Sequence, residues 1–173
     1  MRTLNAGDIG RPTRGSAFTI VEAVISTIIV AFMLVAALST VGASRFVQQK
    51  TSRADRGRQL AESLLAEVLR QSYQDPAQPV AFGLEGDEST ATRAAFDDVD
   101  DYEGWSASPP IGKDGTALAN ASGWTRTVAV VWIDPHHPAV VKASETHAKR
   151  ITVTAQYNNV PHATLAAVRT DYP

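Results

Sequence analysis

Between Ala23 and Ser44 the chain carries no charged residue, and most side chains in that stretch are aliphatic or aromatic. At 1.5 Å of rise per residue a helix of that length covers about 33 Å, enough for a bilayer hydrocarbon core of roughly 30 Å. The stretch therefore reads as a membrane span. A secretory signal peptide has an apolar region of only about 7 to 15 residues, whereas this run continues into a second helical pattern. Before the span, Arg2, Arg11 and Arg14 stand against Asp8, and a short basic flank is normally retained on the cytoplasmic side. The expected topology is a single pass through the cytoplasmic (inner) membrane with the C-terminal domain extracytoplasmic. Arg45, Lys50 and Arg53 follow the span closely and reduce the charge contrast.

Past Arg45 the apolar positions Leu60, Leu64, Leu65, Val68 and Leu69 recur at steps of four, one, three and one, with Arg58, Gln59, Glu62, Glu67 and Arg70 between and beside them. That is the spacing of an amphipathic helix. The residue before a proline is disfavoured in helical geometry, so Asp75-Pro76 predicts a helix end near Tyr73. One helix from Phe18 to Tyr73 would be about 84 Å long. Gly42 and Gly57 are its soft points, each costing about 1 kcal/mol relative to Ala.

From Pro76 to Pro110 the chain is loop-like, broken by Pro76, Pro79, Gly83, Gly86, Pro109 and Pro110. Thr125–Ile133 is rich in β-branched residues, and Ile151, Val153, Ala155 and Tyr157 alternate with Thr152, Thr154 and Gln156. Asn158-Asn159 can turn the chain, and Thr164–Thr170 would pair back on Arg150–Tyr157. The expected fold is α+β: a long N-terminal helix, transmembrane in its first half and amphipathic in its second, packed on a small antiparallel sheet of about three strands. By segment, 18–44 is the apolar helix, 45–74 the amphipathic helix, 75–122 an acidic loop region and 123–173 the sheet.

A net charge of −2 and a pI near 6.1 give no reason to expect nucleic acid, whose phosphates need clustered Lys and Arg. With no cysteine among its 173 residues, the chain has no disulfide, thiolate metal site or Cys nucleophile. No Gly-x-Ser-x-Gly elbow, phosphate loop or His-Glu-x-x-His helix is present. The chain is expected to be neither an enzyme nor a cofactor carrier. Glu85–Glu103 is rich in acidic residues, with Arg93 its lone base and Asp97, Asp98, Asp100 and Asp101 tightly grouped. A solvated acidic loop and a calcium site both fit that composition. The spacing departs from the EF-hand pattern, so no metal site is assigned. His136-His137 beside Asp134, with His147 or His162, has the residue types of a transition-metal site. Pro135 and Pro138 favour a polar turn instead. Trp105, Trp124 and Trp132 are expected to fill the small core rather than form a ligand surface.

Glu22 sits just inside the apolar run, where a carboxylate costs on the order of 2 to 3 kcal/mol. Either it lies at the headgroup boundary or it needs a cation. Phe18-Thr19-Ile20-Val21-Glu22, preceded by a short basic leader and followed by the apolar run, resembles the N-terminal cleavage and methylation motif of type IV pilins and type II secretion pseudopilins. The resemblance implies that a prepilin peptidase cuts between Ala17 and Phe18, removing a leader of residues 1–17. It further implies that Phe18 is N-methylated, and that Glu22 pairs with the N-terminus of a neighbouring subunit. Such a protein moves from the lipid bilayer into a filament of other pilin or pseudopilin subunits, packed through its first helix. The family usually has Gly before the Phe where this chain has Ala17, and a cut after Gly15 is the alternative. Arg58–Glu67 resembles the helix end of minor pilins of the PilV, pseudopilin I and mannose-sensitive haemagglutinin D types, and Phe96–Trp105 resembles a segment of the haemagglutinin D group. The other reading of the same features is a signal-anchored extracytoplasmic binding module with no filament role.

Overall fold

The computed structural model describes residues 19–75, 82–86, 88–89 and 91–171. The chain divides into two compact units, residues 1–47 and 48–173, and one helix, α1 (Ile20–Val68), contributes to both.

In the first unit Thr19 opens the helix. Its Oγ1 accepts the Glu22 amide at 3.2 Å and its carbonyl accepts the Ala23 amide at 3.1 Å, the arrangement by which a Thr satisfies the free donors of a helix start. Every described residue of this unit is exposed, including Ile20, Val24, Ile28, Phe32, Leu34 and Leu38. Four of the hydroxyl side chains are satisfied by the helix itself. The hydroxyls of Thr27, Ser39, Thr40 and Ser44 each donate to the carbonyl four residues earlier, at 2.8–3.0 Å. These groups therefore present no unpaired donor to an apolar surrounding. Residues 20–47 extend about 42 Å, and α1 is long and apolar enough to cross a membrane.

The second unit is α+β. Strands β1 (Ser106–Ala107), β2 (Trp124–Asp134), β3 (His137–Val141), β4 (Ala148–Tyr157) and β5 (Val160–Thr170) form one antiparallel sheet in the order β1-β2-β4-β5, with β3 also on β2. Pairing runs from Trp124 opposite Tyr157 to Trp132 opposite Lys149. This register puts Trp124, Val128 and Val130 on the same face as Ile151, Val153 and Ala155, all buried. Leu60, Ala61, Leu64 and Val68 of α1 join that face in one core with Phe96, Val99, Tyr102 and Trp105. The β4–β5 turn is Asn158-Asn159, both at positive φ (48° and 63°), where Asn is among the residues that tolerate the left-handed region.

Three features depart from the sequence expectation. The helix ends at Val68 rather than near Tyr73, because the chain is drawn into a bridge with the loop that follows. Ser72 donates to the Asp97 carbonyl and accepts from the Val99 amide, each at 3.1 Å. The sheet has five strands rather than about three. The two extra ones are a two-residue strand within the expected loop region and β3, whose Pro138 conceals it in the sequence. Finally, Gly57 is a point of close approach rather than merely a soft one. A Cβ placed there would lie 2.9 Å from His162 Cβ and 3.2 Å from the Trp124 ring, whereas at Gly42 nothing lies within 4 Å.

The two glycines should thus respond oppositely to alanine. Gly42→Ala gains helix propensity of about 1 kcal/mol. Gly57→Ala gains the same but forces α1 off the sheet, with a net loss of about 1–2 kcal/mol. Thermal unfolding of the full chain in detergent checks the pair. An unfolding midpoint raised by Gly57→Ala would contradict the close approach.

Candidate functional site

Ala17, Phe18 and the alternative Gly15 lie outside the described residues. Glu22 is described: it occupies the first turn of α1 and is exposed. Thr19-Ile20-Val21-Glu22 has the spacing of a capping box. A first-turn carboxylate also meets the positive end of the helix dipole, an interaction of about 0.3–1 kcal/mol at an exposed site. The sequence leaves Glu22 either at the headgroup boundary or with a cationic partner, and its place in the first turn adds a local role that requires no partner.

The second concentration of chemistry is the acidic segment. It is not a solvated loop: Asp98, Asp100 and Asp101 are each 1 % exposed. Each has a distinct task. Asp98 Oδ1 accepts the amides of Asp100 (2.6 Å) and Asp101 (3.2 Å), holding the start of the 3-10 turn Asp100–Tyr102. Asp100 pairs with the buried Lys149 ammonium of β4 and accepts the Gly83 amide at 3.3 Å. Lys149 Nζ also donates to the Tyr73 carbonyl at 2.6 Å. Asp101 Oδ2 accepts the amides of Asp97 and Asp98, both at 2.9 Å, while its Oδ1 is buried with no hydrogen-bond partner. One oxygen each of Glu85, Glu88 and Asp101 lie within 4.8 Å of one another.

Burial raises the proton affinity of this group. It pushes the Glu88 carboxyl up to about 8, with the Glu85 and Asp101 carboxyls adding to the rise. It pushes Asp98 up to about 8 as well, with the Asp100 and Asp101 charges adding to it. Glu85 is raised in the same direction and for the same first reason.

Arg93, the one base of the segment, is fully buried. It grips Glu67 of α1 through Nε at 2.8 Å and Nη2 at 3.1 Å, with its guanidinium 4.1 Å from the centre of the Trp105 ring. Arg126 of β2 lies at 5.9 Å over the same ring. Burial, then the Arg93 charge, lowers its pKa to about 10. The candidate His residues fall on separate elements. His136 and His137 are in the exposed β2–β3 hairpin, His147 pairs with Asp171 at 3.3 Å, and His162 packs against Trp124 with ring centres 5.6 Å apart. Trp105 and Trp124 fill the core as expected. Trp132 is half-buried, against Phe82 and donating to Glu145 at 3.1 Å. Sequence reasoning missed the roles of Lys149 and Arg93, whose partners are distant in the chain. The one signal was a lysine at an inward position of β4.

Comparison of the chain with family models, with curated proteins and with solved structures finds no match.

Asp98 and Glu88 bind protons more tightly in the folded chain than in an unfolded one, whose carboxyls titrate near 4. Their contribution to stability is therefore complete below about pH 4 and is lost as pH rises towards about 8. In buffer containing a chelator, the unfolding midpoint should fall across that window. Asp98→Asn, which keeps an acceptor for both amides, should flatten the slope. A midpoint that rises from pH 5 to pH 8 would contradict the burial of these groups.

Proposed function

We propose that the chain is a membrane-anchored, pilin-like structural subunit, a minor pilin or pseudopilin. In this reading it is trimmed ahead of Phe18 by a prepilin peptidase and assembles through the first half of α1 into a type IV pilus or type II secretion pseudopilus. The observation that carries this reading is the contrast within α1. Residues 19–55 are all exposed, while Gly57, Leu60, Ala61, Leu64 and Val68 are buried in the second unit. Apolar surface on that scale needs lipid or other helices to cover it. A pure tether needs only lipid. What favours assembly is the carboxylate of Glu22 at the head of the apolar stretch, in the motif Phe18-Thr19-Ile20-Val21-Glu22. A buried charge of that kind is tolerated when an opposite charge meets it, and a freshly cut N-terminal amine of a neighbouring subunit supplies one.

Glu22→Gln separates this role from capping, because Gln serves a capping box as well as Glu does. The variant should fractionate with the membrane in normal amount. It should be depleted from sheared filaments by more than about tenfold, since leaving one buried charge without its partner costs about 3–5 kcal/mol. Incorporation of Glu22→Gln at the wild-type level would overturn the pairing.

A further inference from the structure

We propose that Lys149 and Asp100 become covalently joined, the amine and the carboxyl condensing inside the folded chain to an isopeptide bond with loss of one water. The two residues lie 49 positions apart in the chain and come from β4 and from the 3-10 turn Asp100–Tyr102. Each is 1 % exposed, and Lys149 Nζ touches Asp100 Oδ1. An amine in hydrogen-bond contact with a carboxyl oxygen has that carboxyl's carbon within about 3.5 Å, the separation of reacting atoms held for attack. The fold thus brings a nucleophile and an acyl carbon together and keeps them there.

The surroundings favour the condensation. Lys149 Nζ lies 4.3 Å from the centre of the Tyr73 ring and 5.8 Å from that of Phe82, and it also donates to the Tyr73 carbonyl at 2.6 Å. These rings keep water from the pair, and away from water an ion pair loses much of its advantage over the neutral amine and acid that react. The Gly83 amide donates to Asp100 Oδ2 at 3.3 Å, which places a donor where negative charge builds up on the carboxyl as the amine adds. Asp98 supplies the acid. Its carboxyl hydrogen-bonds that of Asp100, and burial, then the Asp100 charge, pushes it up to about 8, so it carries a proton at neutral pH. A carboxylic acid in that place can give its proton to the departing Asp100 oxygen and take one back from the nitrogen. The balance closes within the chain. Lys149 Nζ attacks Asp100 Cγ, one C–N bond forms and one C–O bond breaks. Of the three ammonium hydrogens, one stays on the amide and two leave with the oxygen as water.

Peptide and intact-mass spectrometry of the purified full chain tests the bond. The expected mass is below that of the unlinked chain by one water, and digestion should yield a branched peptide that joins Lys149 to Asp100. The branched peptide reads the bond whatever the state of the N-terminus, so its outcome is separate from that of the proposed trimming ahead of Phe18. Lys149→Arg should have the full mass. Asp100→Asn presents an amide in place of the acid and should condense with loss of one ammonia instead. Asp98→Asn keeps an acceptor for the Asp100 and Asp101 amides but has no acidic proton, and the linked fraction should fall by more than about tenfold in a folded chain. A folded wild-type chain at full mass, with Lys149 and Asp100 recovered in separate unmodified peptides, overturns the proposal. So does a Lys149→Arg chain that still lacks one water.

Discussion

One helix has to satisfy two different surroundings. From residue 19 to residue 55 every position of the chain is exposed, and the run includes a long series of Ile, Val, Leu, Phe and Met. From Gly57 to Val68 the same helix supplies a wall of a packed core. Hydrophobic burial is worth about 25 cal/mol for each Å² removed from water, so the second segment is held by the sheet. The first leaves its apolar side chains exposed among the described residues. Thr27, Ser39, Thr40 and Ser44 turn their hydroxyls back on the helix, and Glu22 is the single charge between Thr19 and Ser44. In the proposed function, the position of that carboxylate is what distinguishes an assembling helix from a tether.

The core of the second unit depends on buried ion pairs as well as apolar contact. The chain between α1 and β2 has little regular pairing, and Arg93, Asp100 and Lys149 fix it in place. Pairs of this kind offset the desolvation of each partner rather than adding much net stability. What they provide here is position. The Glu67–Arg93 grip lays the loop along α1, and Lys149 ties the 3-10 turn to β4. Glu85, Glu88 and Asp101 are gathered beside them, with one oxygen of each within 4.8 Å of the others, and burial raises the proton affinity of Glu85 and Glu88.

The elements with strong periodicity were legible in the sequence. The amphipathic face of α1 carries its leucines at helical spacing, and β2, β4 and β5 follow from β-branched alternation and the Asn158-Asn159 turn. Less legible was anything decided by contacts between distant residues. The helix stops at Val68 because Ser72 pairs with the Asp97–Val99 backbone, a bond with no local signature. β3 is concealed by Pro138, and Gly57 shows its purpose only against Trp124 and His162. The acidic segment reads as a solvated loop because its composition is that of one. Its burial depends on Lys149, far along the chain. At the head of α1 the structure adds the cap by Thr19, which the sequence reading did not single out.

The account rests on the chain beginning, in its working form, at the residue that brings an amine within reach of a neighbour's Glu22. Intact-mass and N-terminal peptide mass spectrometry of the protein purified from its native membrane tests this most directly. A chain that starts at N-methylated Phe18 is the predicted result. A chain that retains Met1, or that has been cut near Ala43, would contradict it.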